Sequence, residues 1–508
     1  MSTVYLDGKS LTLQDVVNVA RKGYKVEITP EAKKLVKECA KAVLEWADEG
    51  RVVYGITTGF GDLSTVVIPR DKCRQLQENL LLSHSCGFGE PYPEDVVRAI
   101  MLLRINTLSR GYSGISLETL QQMVDYLNLG IHPVVPTQGS VGASGDLCPL
   151  SHVAITLIGH GNVVYQGKTM PASEALVKAG MKPVELQPKE GLALNNGTTV
   201  MNAVAALCVV DGINMEKNAD IAASMSAEAL HAVPYAFDKR THDLRPQVGQ
   251  GIVAENMRRL LEGSEIVEAY KKDRVQDAYS LRCLPQVHGA SRDAIAYVKE
   301  KIEIEINSVT DNPIIFHKDG DAVSGGNFHG QPMAMAMDFF GIAAAEFANI
   351  AERRVARMVD HKLSDLPPFL VSDSGVNSGF MIPQYTAAAL VSENKVLAHP
   401  SVVDSIPTSA NQEDHVSMGG YSARKARQIL NNTNRVIAIE MVNAAQGMDF
   451  RAPLKPGKGS GAAHAEFRKH VPFYEKDQFM QPLLLKSLEL VENGAIVEAV
   501  EKEIGELK

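Results

Sequence analysis

The sequence predicts a mainly α fold, a long-helix bundle with a smaller, more irregular N-terminal region. Three observations predict it. Four proline-free stretches, 199–230, 286–308, 335–361 and 418–448, carry apolar residues at helical spacing, and each exceeds an ordinary helix of about 11–12 residues. All are rich in Ala, Met, Leu and Glu and low in aromatics, and small side chains let long helices pack side by side. The first 200 or so residues are more broken by turn signals. The expected organisation is therefore an N-terminal region over 1–198 and a helical region over 199–508.

Taken in order, GYSG (111–114) marks a turn, and NVVYQGKTM (162–170) reads as a hairpin reversing at Gln166-Gly167. The long helices follow. Residues 451–478, rich in Gly, Pro and Lys, read as a loop, and 481–507 as a final amphipathic helix.

Composition limits the function. The chain has 508 residues, 45% hydrophobic and 22% charged, with a formal net charge of -9. It has no basic field for nucleic acid or an anionic membrane, so a small-molecule substrate is expected. The first residues, MSTVYLDGKSLTLQDVV, do not resemble a secretory leader, and no window of about 18 uninterrupted apolar residues occurs. A cytoplasmic protein with reduced thiols is expected, because the six cysteines show no CxxC spacing. The histidines show no HExxH spacing, so no metal is expected.

The stretch GSVGASGDLCPLSH (139–152) needs a chemical explanation. It lacks the lysine of a phosphate loop and the GxSxG of a hydrolase elbow. A loop in which Ser144 merely satisfies a turn is the plain reading. The other reading uses the main chain. If the nitrogen of Gly145 attacks the carbonyl carbon of Ala143, a five-membered ring closes. Loss of two waters, one carrying the Ser144 hydroxyl, leaves an exocyclic methylidene, which is an electrophile. The residue types suit this: Gly145 has no Cβ to hinder the approach, and only the hydroxymethyl of Ser144 can become the methylidene.

ASGDLCPLSH resembles the signature of the ammonia-lyase and aminomutase family that builds a methylidene-imidazolone (MIO) from Ala-Ser-Gly. YGITTGFG (54–61), LALNNGT (192–198), QDAYSLRC (276–283), TDNPIIF (310–316), SGGNFHGQP (324–332), LPPFLV (366–371), GVNSGFM (375–381) and SANQEDHVSM (409–418) resemble its histidine-acting members, in the same order. The resemblance implies an MIO formed autocatalytically from Ala143, Ser144 and Gly145, in the N-terminal region. It also implies a homotetramer whose active sites are each assembled from three subunits.

Ammonia elimination needs a base for a weakly acidic β-proton and an electrophile to improve the amine as a leaving group. A buried tyrosine with a pKa lowered by cationic or dipolar neighbours could be the base, and the resemblance gives this role to Tyr54, on a glycine-containing loop that could act as a lid. Arg282 suits a substrate carboxylate, since guanidinium binds it in a bidentate fork. The resemblance adds Gln276 and Tyr279 at the site, with Tyr279 near the amine. It places Asn196 against substrate and MIO, and Phe328 over the ring.

Ser83-His84 and Glu413 match the histidine-selective pattern. A carboxylate and a histidine can satisfy both nitrogens of an imidazole. Such a site would reject a phenyl ring by ~10⁴-fold or more, because its polar groups would be left unpaired. The resemblance therefore implies L-histidine as substrate and trans-urocanate and ammonia as products. A tyrosine ammonia-lyase or aromatic aminomutase is the alternative, and a non-catalytic helical scaffold is a third reading, disfavoured because the whole residue set is present. Asn195, Ala278 and Asp62 depart from the family pattern, and Asp62 could hold the amine for migration.

Overall fold

Residues 2–508 are described by a computed structural model. Helices account for 61% of the chain and strands are few and short, so the protein is mainly α. The four proline-free stretches form the helices Thr199–Ala229, Leu284–Glu305, Gln331–Val359 and Gly419–Asp449. Thr199–Ala229 and Gln331–Val359 are long and apolar enough to cross a membrane, but 78% and 67% of their most apolar windows are buried inside the protein.

By contact the chain forms two units, both discontinuous in sequence: Met1–Leu207 with Lys299–Asp338 and Pro400–Arg424, and Cys208–Val298 with Phe339–His399 and Lys425–Lys508. In the second unit Ala348, Ala351, Val355, Ala387, Val436 and Ile439 form a dry seam between helices. Elsewhere in this unit two long helices approach closely at small residues: a Cβ on Gly447 would lie 2.7 Å from the Cβ of Ala229. Inside this unit Arg354 pairs with Glu440, both side chains fully buried, and Ser226 donates to the same carboxylate at 2.7 Å.

The first unit is more mixed. The helix Leu13–Lys22 starts at a capping box in which Thr12 and Asp15 satisfy each other's backbone N–H. The strands Thr3–Leu6 and Lys25–Ile28 pair in parallel. The expected hairpin forms from Asn162–Tyr165 and Lys168–Pro171. Its turn residues Gln166 and Gly167 both have positive φ, 53° and 74°, the geometry that a two-residue hairpin turn requires.

Two elements differ from the sequence expectation. The glycine-rich stretch 451–478 contains the helix Lys458–Arg468. Its Gly459 serves close packing, since a Cβ there would lie 2.8 Å from a methyl of Leu260. The C-terminal stretch is two helices, Gln481–Glu492 and Ala495–Ile504, separated at Gly494, whose φ of 78° ends one helix before the next begins.

Candidate active site

Ala143, Ser144 and Gly145 lie in a loop just before the helix Leu147–Leu157. Asp146 anchors this loop. Its fully buried carboxylate accepts from the Ser140 hydroxyl and the Met201 amide, both at 2.8 Å, and its own amide donates to the Gly197 carbonyl at 2.7 Å. Burial pushes its pKa up to about 6, against those hydrogen bonds. Gly145 has φ 67°, and a Cβ on it would lie 2.1 Å from the Gly197 oxygen. Only glycine lets the 195–198 loop approach this closely. Arg104, buried beneath, holds that loop by donating to Ala193 and Thr310 carbonyls.

Within the first unit a cavity of about 590 Å³ is lined by Tyr54, Ser83, His84, Ser144, Asn196 and Glu413, among others. Six of the expected site residues therefore meet in one space. Ala143 and Gly145 line an adjoining recess of about 310 Å³ that shares Ser83, His84, Ser144 and Glu413.

Glu413 is held from two sides. Ser144 donates to its Oε1 at 2.9 Å, and Thr408 donates to its Oε2 at 2.5 Å. Thr408 and Glu413 also pair through their backbones across a tight turn, in which Ser409, Ala410 and Asn411 have φ of 52°, 53° and 69°. Three successive non-glycine residues in the left-handed region represent stored strain at the site.

His84 ends the helix Cys73–His84, with its Nδ1 3.0 Å from the Ser83 hydroxyl. Burial lowers its pKa, against the raising effects of the Leu80 backbone and Glu413. The imidazole is therefore neutral at pH 7, with one nitrogen to donate and one to accept.

Tyr54 departs from expectation in its electrostatics. Its hydroxyl accepts the Gly61 N–H at 3.1 Å, and its ring meets Phe60 edge-on. Burial raises its pKa, the Gly61 amide lowers it, and the Glu413 carboxylate raises it. The net shift is upward, because one amide dipole does not offset desolvation and a nearby negative charge.

Asn196 is buried, and its Oδ1 has no hydrogen-bond partner. An unpaired buried acceptor is costly unless another group meets it. Together with the glycine-only approach at Gly145, this suits a planar ring built from Ala143, Ser144 and Gly145 and a substrate beside it. Asn195 next to it donates to the Ser151 hydroxyl at 3.0 Å, a packing role.

The remaining expected residues lie elsewhere. Phe328 is half-buried and does not line the cavity, although Gly330 two residues on donates to the Gly142 carbonyl at 3.3 Å. Asp62 is exposed in the turn Gly61–Thr65 and also lies off the cavity lining. Gln276, Tyr279 and Arg282 belong to the second unit and are not among the lining residues. There Tyr279 is 70% exposed, Arg282 stacks over its ring at 4.5 Å, and the buried Nε of Arg282 has no partner. The sequence reading missed Thr408, whose only signal is its place five residues before Glu413. Among the described residues no group of three or more His, Cys, Asp or Glu is placed to hold a metal.

The family described as aromatic amino acid lyase matches residues 11–469. A histidine ammonia-lyase of Alkaliphilus oremlandii (strain OhILAs) is 55% identical over 504 residues, 99% of each chain. Among solved structures, a histidine ammonia-lyase from Trypanosoma cruzi superposes with a TM-score of 0.92 at 41% identity, covering 99% of this chain and 96% of the other. A tyrosine aminomutase from Streptomyces globisporus superposes with a TM-score of 0.95 at 36% identity, covering 100% of both.

Proposed function

We infer, since this chain belongs to the aromatic amino acid lyase family, that it eliminates ammonia from L-histidine and releases trans-urocanate, as a histidine ammonia-lyase does. One observation carries the choice of substrate: the neutral imidazole of His84 and the carboxylate of Glu413 line the same cavity as Ser144. These groups can pair both nitrogens of a substrate imidazole, whereas a phenyl ring would leave them unpaired.

The proposed prosthetic group is MIO, with Ala143, Ser144 and Gly145 as its precursor and Asn196 as its neighbour. When present it supplies an electrophile that turns the substrate amine into a leaving group. Tyr54 takes the β-proton, with the Gly61 N–H at its oxygen favouring the phenolate against burial and the Glu413 charge, which disfavour it. Dehydration of Ser144 removes the hydroxyl that Glu413 Oε1 now accepts from, so that oxygen becomes available to the substrate N–H. Ser83 orients His84.

Arg282 forks the substrate carboxylate, with Gln276 and Tyr279 beside it and Phe328 over the ring. In a homotetramer with shared sites, residues as exposed as Tyr279 on one copy serve another copy's cavity. The reading includes a cytoplasmic enzyme without nucleic-acid or membrane partners.

The likeness to a tyrosine aminomutase supports a second reading, in which the amine returns to the β-carbon. Both are tested by incubating the purified protein separately with L-histidine, L-tyrosine and L-phenylalanine, following ultraviolet absorbance and free ammonia. Conjugated product and ammonia rising together from histidine alone is the expected result. An aryl acrylate or β-amino acid from tyrosine would overturn the histidine assignment.

A further inference from the structure

Two cysteines outside the proposed chemistry flank the Ala-Ser-Gly loop. Cys86 follows His84 by two residues, and Cys148 follows Ser144 by four. Both line the recess that also holds Ser144 and Glu413. Cys86 is exposed, whereas Cys148 is 8% exposed at the first turn of its helix. The segments that carry them are in contact. A Cβ on Gly87 would lie 3.3 Å from the Cys148 Sγ, and one on Gly139 would lie 2.6 Å from the same sulfur. Cys86, next to Gly87, is also among the groups that shift the Cys148 thiol. The turn is pinned, because the Gly87 N–H donates to His152 Nε2 at 3.0 Å and the Cys86 N–H to the His84 carbonyl at 3.0 Å. The remaining cysteines stand apart from this pair: Cys39, Cys73 and Cys208 are buried, and Cys283 lies in the second unit.

We propose that Cys86 and Cys148 form a dithiol site for exchange with a low-molecular-weight disulfide, closing a protein disulfide across the mouth of the Ser144 recess. The exposed Cys86 thiolate attacks one sulfur of the reagent, breaking its S–S bond and releasing one thiol. The mixed disulfide then stands beside Cys148, whose sulfur loses its proton and displaces the second thiol. One S–S bond forms in the protein and one breaks in the reagent. The two cysteines are oxidised, and the reagent is reduced to two thiols. Cys86 is the sulfur an outside reagent can reach, so it makes the first displacement, and Cys148, 8% exposed beside it, is placed for the second, intramolecular one, where proximity offsets a thiol that burial pushes up to about 11. The bridge ties the turn after His84 to the helix after Ser144. With these two flanks of the Ser144 recess tied together, substrate turnover falls.

The test treats the full-length protein with glutathione disulfide and reads it by mass. The expected result is a protein lighter by two hydrogens with a proteolytic peptide joining Cys86 to Cys148, both reversed by dithiothreitol. Cys148→Ser should instead retain one glutathione on Cys86. Should that variant fail to fold, Cys86→Ser at the exposed position should yield neither the cross-link nor the adduct on Cys148. A wild-type protein that holds glutathione on Cys86 without cross-linking, or that is unmodified, would overturn the proposal. The mass readout does not depend on which amino acid is the substrate. Activity lost in the oxidised wild type and restored on reduction is expected, with oxidant-treated Cys86→Ser matching its own untreated control. Full activity in cross-linked protein would overturn the effect on turnover.

Discussion

Ser144 and Thr408 both donate to the Glu413 carboxylate, and they should fail differently when replaced. Ser144→Ala cannot yield a methylidene, so turnover should drop by orders of magnitude while circular dichroism stays unchanged. Near-normal turnover would end the MIO proposal. Thr408→Val removes a hydrogen bond to a charged group, worth about 1.5–3 kcal/mol. It should lower kcat/KM for histidine by about 10- to 100-fold, with Thr408→Ser restoring most of it. An unchanged kcat/KM in Thr408→Val would show that Glu413 keeps its place without this donor. That Ser144, Tyr54, His84 and Glu413 line one cavity was foreshadowed by the sequence, where Ser144 stands in a stretch with its own chemistry and the others in motifs that resemble the family's. The upward shift at Tyr54 was not, since burial and the charge of Glu413, 359 positions away, exist only in the folded chain. Thr408 was not legible either, because a threonine before a loop carries no signal until the strained turn brings it to the carboxylate.

Two helix-borne polar clusters of the second unit carry predictions of their own. Arg354 and Glu440 lie fully buried as a pair, so Arg354→Ala leaves an unpaired carboxylate and should cost about 3–5 kcal/mol. Thermal unfolding is the check, with a melting temperature within a degree or so of wild type counting against it. Glu216, on Thr199–Ala229, is pushed up to about 8 from 4.5 by burial, with Asp220 and Asp293 adding to the rise and Arg292 and Lys217 opposing it. Arg292 lies 2.9 Å from Asp220 but 3.5 Å from Glu216, so Asp220 is its ionised partner and Glu216 stays protonated at neutral pH. The folded state thus binds a proton that the unfolded state has released between pH 4.5 and about 8, and stability falls as pH rises through that window. Glu216→Gln keeps the neutral shape and should raise the melting temperature by about 2–4 °C at pH 9, with little change at pH 5. An equal change at both pH values would place the effect elsewhere. The long helices were legible because proline gaps and apolar spacing act locally. The helix Lys458–Arg468 was hidden by glycines that serve packing, and the break at Gly494 by an apolar pattern that continues on both sides of it.

For the whole molecule, shared active sites would make turnover depend on assembly. Specific activity should fall on dilution before helical content does, and constant activity in a verified monomer would refute sharing. The interleaving of the two units had no counterpart in composition, because which distant segments pack together depends on tertiary contact. That interleaving also sets an order of events during synthesis. The loop bearing Ser144 is closed over by Ser417, which donates to the Gly142 carbonyl at 2.9 Å, and the first unit draws its last segment from Pro400–Arg424. About 270 further residues must leave the ribosome after Gly145, roughly 15–55 seconds at about 5–20 residues per second. Until then the loop lacks Glu413 and Ser417, which close it from the far side, so, if the MIO proposal holds, a nascent chain halted short of Glu413 should keep an ordinary serine at position 144, which mass spectrometry of the released chain would check.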